Sequence, residues 1–219
     1  MKLLLVFKKG STLRWISHLD LIKVFEKALR RAELPIALSQ GFNPRPKMSI
    51  ALPLPVGTTS SGEYMELELE ESMDPIVVKN KLNQQLPEGL QMMQVQVLPE
   101  RGPAIMSVVD SSVYEIKVPL SEEETAHMGS VITTLQQKSE ILVDYLNKEG
   151  RKKSMDIKPG IRTISWQMDI NKIEIHVETS SRLFVRPNYV LQAIAAEMQR
   201  EEWKIDEMDI HRVRIVLHI

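Results

Sequence analysis

The chain of 219 residues is 43% hydrophobic and 26% charged, with a net charge of −1 and no cysteine. That composition belongs to a folded polypeptide, long enough for one large domain or two small ones. It excludes disulfides, thiolate catalysis and cysteine-ligated zinc or iron–sulfur clusters. Met1–Phe7 is apolar but far too short to span a membrane, and no signal-peptide pattern follows it. We therefore expect a cytoplasmic protein with no membrane partner and no cofactor of its own.

The near-neutral total hides a segregation. Residues 1–50 hold ten Lys/Arg against three Asp/Glu, a balance of +7, and the rest of the chain carries −8. Such a split marks either a polyanion-facing surface or a solvated helix face.

Lys2–Lys9, rich in Leu, Val and Phe, reads as a buried first strand ended by Gly10-Ser11. Ser17 is placed as the N-cap of a helix, with Asp20 three residues on and Ile16 and Leu21 as a hydrophobic staple. Leu21, Ile22, Phe25, Leu29 and Ala32 fall on one face of that helix, and Lys23, Lys27, Arg30 and Arg31 on another. Pro35 stops it. Ile36–Ser39 reads as a short strand, and Gln40–Lys47 as a loop fixed by two prolines, a glycine and an asparagine. Met48–Leu54 and Glu63–Glu70 read as strands joined through Gly57–Gly62. Asp74 caps a second helix with Pro75 at its first position and Val78, Leu82 and Leu86 as its apolar seam. Pro87-Glu88-Gly89 breaks it before a strand at Leu90–Leu98.

Glu100–Ser107, with Gly102-Pro103, reads as a linker, after which the order repeats. Val113–Leu120 is a strand, and Ser121 with Glu124 forms a capping box for a helix to about Lys138. A strand at Ile141–Lys148, a basic connection at Gly150–Arg162, extended chain through Met168 and a strand at Lys172–Thr179 come next. Pro187 opens a helix with Val190, Leu191, Ile194 and Met198 inward, and Ile205–Ile219 closes as a strand. Two β-α-β-β-α-β runs predict an α+β protein of two ferredoxin-like halves, residues 1–101 and 108–219, with the working surface in the first.

Two features in the first half carry chemistry. His18 sits in the first helical turn, where the dipole disfavours protonation and exposed N–H groups suit an anion; a solvent-facing histidine is the alternative. Gly41–Lys47 sets Phe42 and Asn43 beside a stiffened Arg45/Lys47 segment, so that the ring stacks on a base while the cations meet phosphate. The alternative is a structural turn with Phe42 in the core. The Walker spacing is absent, and no histidine pair stands at metal spacing. If Pro35–Ser39 runs back as a strand, the loop arrives beside His18. If it is irregular, about a dozen residues at ~3.3 Å each still cover the ~22 Å return, so we expect His18 and Gly41–Lys47 to share one concave, basic surface. The residues expected to contact RNA are Arg14, Ser17, His18, Gln40, Phe42, Asn43, Arg45 and Lys47. A second basic patch, Gly150–Lys153 with Lys158–Arg162, and Arg182 and Arg186 before the last helix are read as solvated surface or as further anion contacts.

The strings RWISHLD from Arg14, SQGFNPRPK from Ser39 and SGEYMELEL from Ser61 resemble the bacterial radical SAM-linked protein family. DIKPGI at Asp156–Ile161 and RPNYVLQAI at Arg186–Ile194 are similar to its C-terminal landmarks, so the resemblance covers most of the chain. It departs at Arg45, where that family carries histidine. The resemblance implies a radical SAM protein as partner, encoded beside or fused to members of the family. Lacking cysteine, this chain cannot hold the cluster such chemistry requires. The expectation is a non-catalytic RNA-binding accessory, with tRNA as one substrate, that presents RNA to that partner. The other readings are an RNA-processing or RNA-modifying enzyme using His18 as general base with Asp20 or Lys47 in support, and a protein-only assembly factor.

Overall fold

The structure is a computed structural model that describes every residue except Lys148, Glu201, Glu202, Asp206, Glu207 and Ile219. Parts of two expected strands, at Lys148 and at Asp206, Glu207 and Ile219, therefore lie outside the described residues. The chain is α+β, and it divides into two compact units. One comprises Met1–Val109 with Arg212–Ile219, and the other Asp110–His211.

In the first unit, β1 (Lys2–Lys9) lies between β3 (Thr58–Glu68) and β4 (Leu90–Leu98), antiparallel to both. The short β2 (Met48–Ile50) pairs antiparallel with the end of β3 at Met65–Leu67. The order is thus β4-β1-β3-β2, and the Arg212–Leu217 part of the last strand, β10 (Asp209–Leu217), also lies beside β3. Two helices, α1 (His18–Arg31) and α2 (Pro75–Asn83), supply Leu21, Phe25, Leu29, Val78 and Leu82 to a core with Leu3, Leu5 and Phe7. Phe7 meets Phe25 edge-to-face, with ring centroids 4.8 Å apart. Leu4 points the other way, into a second cluster with Ala51, Leu52, Ile105, Val109 and Ile215. Burial on both faces is why β1 reads as a continuous apolar run without alternation.

The second unit repeats the theme with β5 (Val109–Lys117), β9 (Lys172–Glu178) and β8 (Ile161–Gln167) adjacent in that order and antiparallel. Helices α3 (Glu122–Gln137) and α4 (Pro187–Glu197) bury Met128, Val131, Ile132, Leu135, Val190, Leu191 and Ile194 against it. A separate hairpin of β6 (Leu142–Leu146) and β7 (Lys152–Asp156) stands off this sheet.

Several expectations need correction. Strand β2 ends at Ile50, not Leu54, since Pro53 and Pro55 have no N–H to give a ladder. Strand β3 begins at Thr58, so Gly57–Gly62 is mostly strand; its buried Thr58 and Ser60 are polar and mask the pattern. Ile36–Ser39 makes isolated bridges only, Ile36 to Leu69 and Leu38 to Pro46. The basic connection contains β7, which is hydrophilic because it pairs with β6 alone and leaves Lys152, Lys153 and Ser154 exposed.

The helix signals act as read. The Ser121 hydroxyl accepts from the Glu124 N–H, and the Glu124 carboxylate accepts from the Ser121 N–H at 2.8 Å. That contact and nearby Arg200 hold the Glu124 carboxyl below the ordinary glutamate range, the Ser121 backbone N–H first. Replacing Ser121 with alanine is expected to lower unfolding free energy by about 1 kcal/mol in a urea titration. A change below about 0.3 kcal/mol would show that the cap does not support α3.

Candidate functional site

The start of α1 is built from short-range bonds. The Asp20 N–H donates to Ser17 Oγ at 3.1 Å, and the Ser17 hydroxyl donates to Asp20 Oδ2 at 2.7 Å. Lys23 Nζ donates to Asp20 Oδ1 at 3.2 Å. These contacts, the Ser17 hydroxyl first, hold the Asp20 carboxyl below the usual carboxylate range. His18 is half-buried, its Nδ1 shielded from solvent with no hydrogen-bond partner among the described residues. Burial pushes its pKa below the ordinary histidine value, so the ring is neutral near pH 7.

Just before the helix, Arg14 grips the loop that leads into β3. Its Nε and one terminal nitrogen donate to the Gly57 carbonyl at 3.1 and 2.8 Å, while the Gly57 N–H donates back to the Arg14 carbonyl at 2.8 Å. The guanidinium also lies over the Trp15 ring, 5.0 Å from its centroid. Gly57 has φ +82°, and a Cβ there would come within 3.2 Å of the Trp15 ring, so the position takes glycine. Trp15 is nevertheless 63% exposed, and Leu19 and Val56 are exposed as well. The end of α1 thus shows solvent an apolar surface, with the Arg14 charge turned toward the fold.

Beneath this loop lies a charged cluster that sequence reasoning missed. Lys9, Glu63 and Arg212 are buried. Arg212 Nε donates to Glu63 Oε1 at 2.8 Å, its terminal nitrogen bonds Glu63 Oε2, and the same nitrogen reaches the Leu52 carbonyl at 3.0 Å. The Ser60 hydroxyl donates to Glu63 as well. Lys9 Nζ donates to the carbonyls of Arg14 (3.2 Å) and Thr58 (3.3 Å). One signal was available, because Glu63 shares a strand face with the buried Met65 and Leu67, where a lone glutamate demands a cation.

The second group of residues is a loop closed on itself. The Ser39 N–H donates to the Arg45 carbonyl at 2.8 Å, the Arg45 N–H to Ser39 Oγ at 3.0 Å, and the Lys47 N–H to the Ala37 carbonyl at 2.8 Å. Gly41, with φ +129°, makes the turn. Phe42 at its tip is fully exposed, at 106% of the reference value, which removes the reading of a core-directed ring. Gln40, Asn43 and Arg45 are exposed, and the Arg45 guanidinium has no partner among the described residues. Lys47 pairs with Glu68 at 2.9 Å, both groups being exposed.

The two groups do not come together as expected. Arg14 is tied to Gly57, just before the first residue of β3, while Ala37 and Lys47 are tied to Glu68, its last. Gly57 and Glu68 are eleven positions apart along the strand, about 36 Å at ~3.3 Å each. A loop from Leu38 to a tip at Phe42 reaches back about 14 Å at most. Ser17, His18 and Asp20 therefore belong to one end of the unit, and Gln40, Phe42, Asn43, Arg45 and Lys47 to the other.

No helix among the described residues is long and apolar enough to cross a membrane. No curated protein matches the chain. Residues 2–187 match the model of a family described as an uncharacterized protein conserved in bacteria, DUF2344, and the chain belongs to that family.

Proposed function

We propose that the protein is a non-catalytic accessory that binds a single-stranded segment of RNA, such as a tRNA loop, and presents it to a radical SAM enzyme. The observation that carries this reading is the Ser39–Lys47 loop. A fully exposed phenylalanine stands three residues from an unpartnered arginine on a loop stiffened by Pro44 and Pro46. A naked aromatic in water is unfavourable, and stacking on a base recovers that area whatever the base, while the guanidinium takes phosphate. The partner is a separate cytoplasmic polypeptide on this reading, because this chain has no cysteine to ligate a cluster. We read both units as ferredoxin-like, a reading supported by the β4-β1-β3-β2 order and by a helix between the first two strands and before the last. Catalysis by His18 has less support, since Asp20 is engaged by Ser17 and Lys23, and Lys47 is paired with Glu68 at the far end of the unit.

Fluorescence anisotropy with labelled single-stranded RNA tests the reading. Phe42→Ala should weaken binding about 5- to 150-fold without changing its salt dependence. Arg45→Ala should lower the slope of log K against log salt by about 0.7, the share of one phosphate on a single strand. Wild-type protein with no RNA affinity at low salt would rule the reading out. Co-purification should recover a radical SAM enzyme, and repeated recovery without one removes that part of the proposal.

A further inference from the structure

The second unit carries a groove that the Ser39–Lys47 loop does not involve. It has a volume of about 410 Å³ and is lined by Asp144, Tyr145, Lys152, Arg186, Tyr189 and Gln192, from the β6–β7 hairpin and the start of α4. Its floor is aromatic. Tyr145 and Tyr189 stand 6.2 Å apart between ring centroids, with planes inclined at 46°. Both are half-buried, so each keeps ring surface in the groove. The Arg186 guanidinium lies 5.7 Å from the Tyr189 centroid.

The charges divide cleanly. Asp144 is taken up by Lys152 at 2.8 Å and by the Ser154 hydroxyl, so it does not set the sign of the groove. Arg151 pairs with Glu149 at 3.4 Å. Arg186 and Lys153 have no carboxylate partner among the described residues, and both are exposed. Arg186 is also the N-cap of α4, which has Pro187 at its first position and no side-chain cap, so the positive end of the helix dipole is not offset there. Aromatic faces, a stacked guanidinium and the exposed amide of Gln192 make up the set that binds an unpaired nucleotide. The rings take the base, the guanidinium takes phosphate, and the amide hydrogen-bonds a base edge.

We propose that this groove is a second RNA contact, holding an unpaired nucleotide with its base on Tyr189 and Tyr145 and its phosphate against Arg186. It rests on the RNA-binding reading above, but its residues are separate from those of the loop. Full-length protein is titrated against a fluorescein-labelled twelve-nucleotide single-stranded RNA, as wild type and as Tyr189→Leu, Tyr189→Phe, Arg186→Glu and Phe42→Ala. Tyr189→Leu should raise Kd about 5- to 150-fold, and Tyr189→Phe should stay within about twofold of wild type, since it keeps the ring. Arg186→Glu, on an exposed side chain, should weaken binding and flatten its salt dependence. Thermal melting of each variant separates lost folding from lost contact. If Phe42→Ala weakens binding while Tyr189→Leu and Arg186→Glu do not, the groove proposal is overturned and the loop reading stands. If the groove variants weaken binding and Phe42→Ala does not, the groove stands and the loop reading falls. No binding by wild type overturns both.

Discussion

Glu63→Gln is expected to cost about 3–5 kcal/mol of unfolding free energy, the largest single effect among residues outside the apolar cores. The carboxylate is buried and carries the Arg212 guanidinium on both oxygens, with the Ser60 hydroxyl as a third donor. A glutamine keeps the shape but removes the charge, and it turns an NH₂ group toward a guanidinium with no lone pair to receive it. What remains is an arginine in a low-dielectric site that faces neutral carbonyl oxygens, those of the glutamine and Leu52 among them, in place of a carboxylate. Arg212→Met is expected to cost a similar amount, by leaving the carboxylate unpaired. The double variant Glu63→Gln/Arg212→Met removes both desolvated charges, so it should be more stable than the sum of the single effects by at least about 2 kcal/mol. Urea titrations of the four proteins provide the cycle. A Glu63→Gln protein within 1 kcal/mol of wild type would mean that the pair is not an organising contact.

The pair also joins distant segments of sequence. Glu63 and Arg212 are 149 positions apart, and the bond to Leu52 spans 160. It fixes Arg212, the first residue that the C-terminal segment returns to the first unit. Through Lys9, the same cluster holds the Arg14 carbonyl and the Thr58 carbonyl in place, and with them the loop on which Trp15 rests. The apolar end of α1 is therefore presented by a buried polar frame, while the Ser39–Lys47 loop is carried by ladder bonds at the other end of β3.

What was legible in the chain is what local chemistry decides. The N-caps Ser17, Asp74 and Ser121, the limits of β4 and the start of α4 at Pro187 each depend on a few neighbouring residues, and each stands where those residues put it. The Gln40–Lys47 loop was legible for the same reason, since Gly41, Pro44 and Pro46 allow little else. Its position was not. The return from α1 depended on whether Ile36–Ser39 formed a strand; the Ala37 N–H donates to the Glu68 carbonyl and the Glu70 N–H to the Pro35 carbonyl, which pins it at the Glu68 end. Strand β7 escaped notice because Lys152, Lys153 and Ser154 are exposed and carry no apolar alternation, while Met155 packs against the core. Lys9 and Arg212 look like surface cations because a side chain's own sequence neighbours do not reveal partners 49 and 149 positions away.

Raising the pH from 8 to 10.5 is expected to stabilise wild-type protein relative to Lys9→Met by about 3 kcal/mol. Burial lowers the Lys9 pKa from 10.5 to about 8; the Glu63 carboxylate opposes that shift, and the Arg212 and Arg14 guanidiniums act with it. The sign follows from proton counts. Below about pH 8 the lysine is charged in both the folded and unfolded states, so it contributes no slope, and the folded state carries the full cost of the buried ammonium. Between about 8 and 10.5 the folded amine has released its proton and the unfolded one still holds it. The unfolded state then binds more protons, and stability rises by about 1.4 kcal/mol per pH unit until both forms are neutral. The hydrogen bonds agree with this direction. The two carbonyls that face Nζ accept two protons, which a neutral amine supplies, whereas the third proton of an ammonium finds no acceptor among the described residues. Contributions common to both proteins cancel when the two are compared at each pH. The measurement is a set of paired urea titrations at half-unit steps from pH 7 to 10.5. A difference that stays flat above pH 8 would show that Lys9 keeps its proton in the folded state, and the cluster would then carry two buried cations against a single carboxylate.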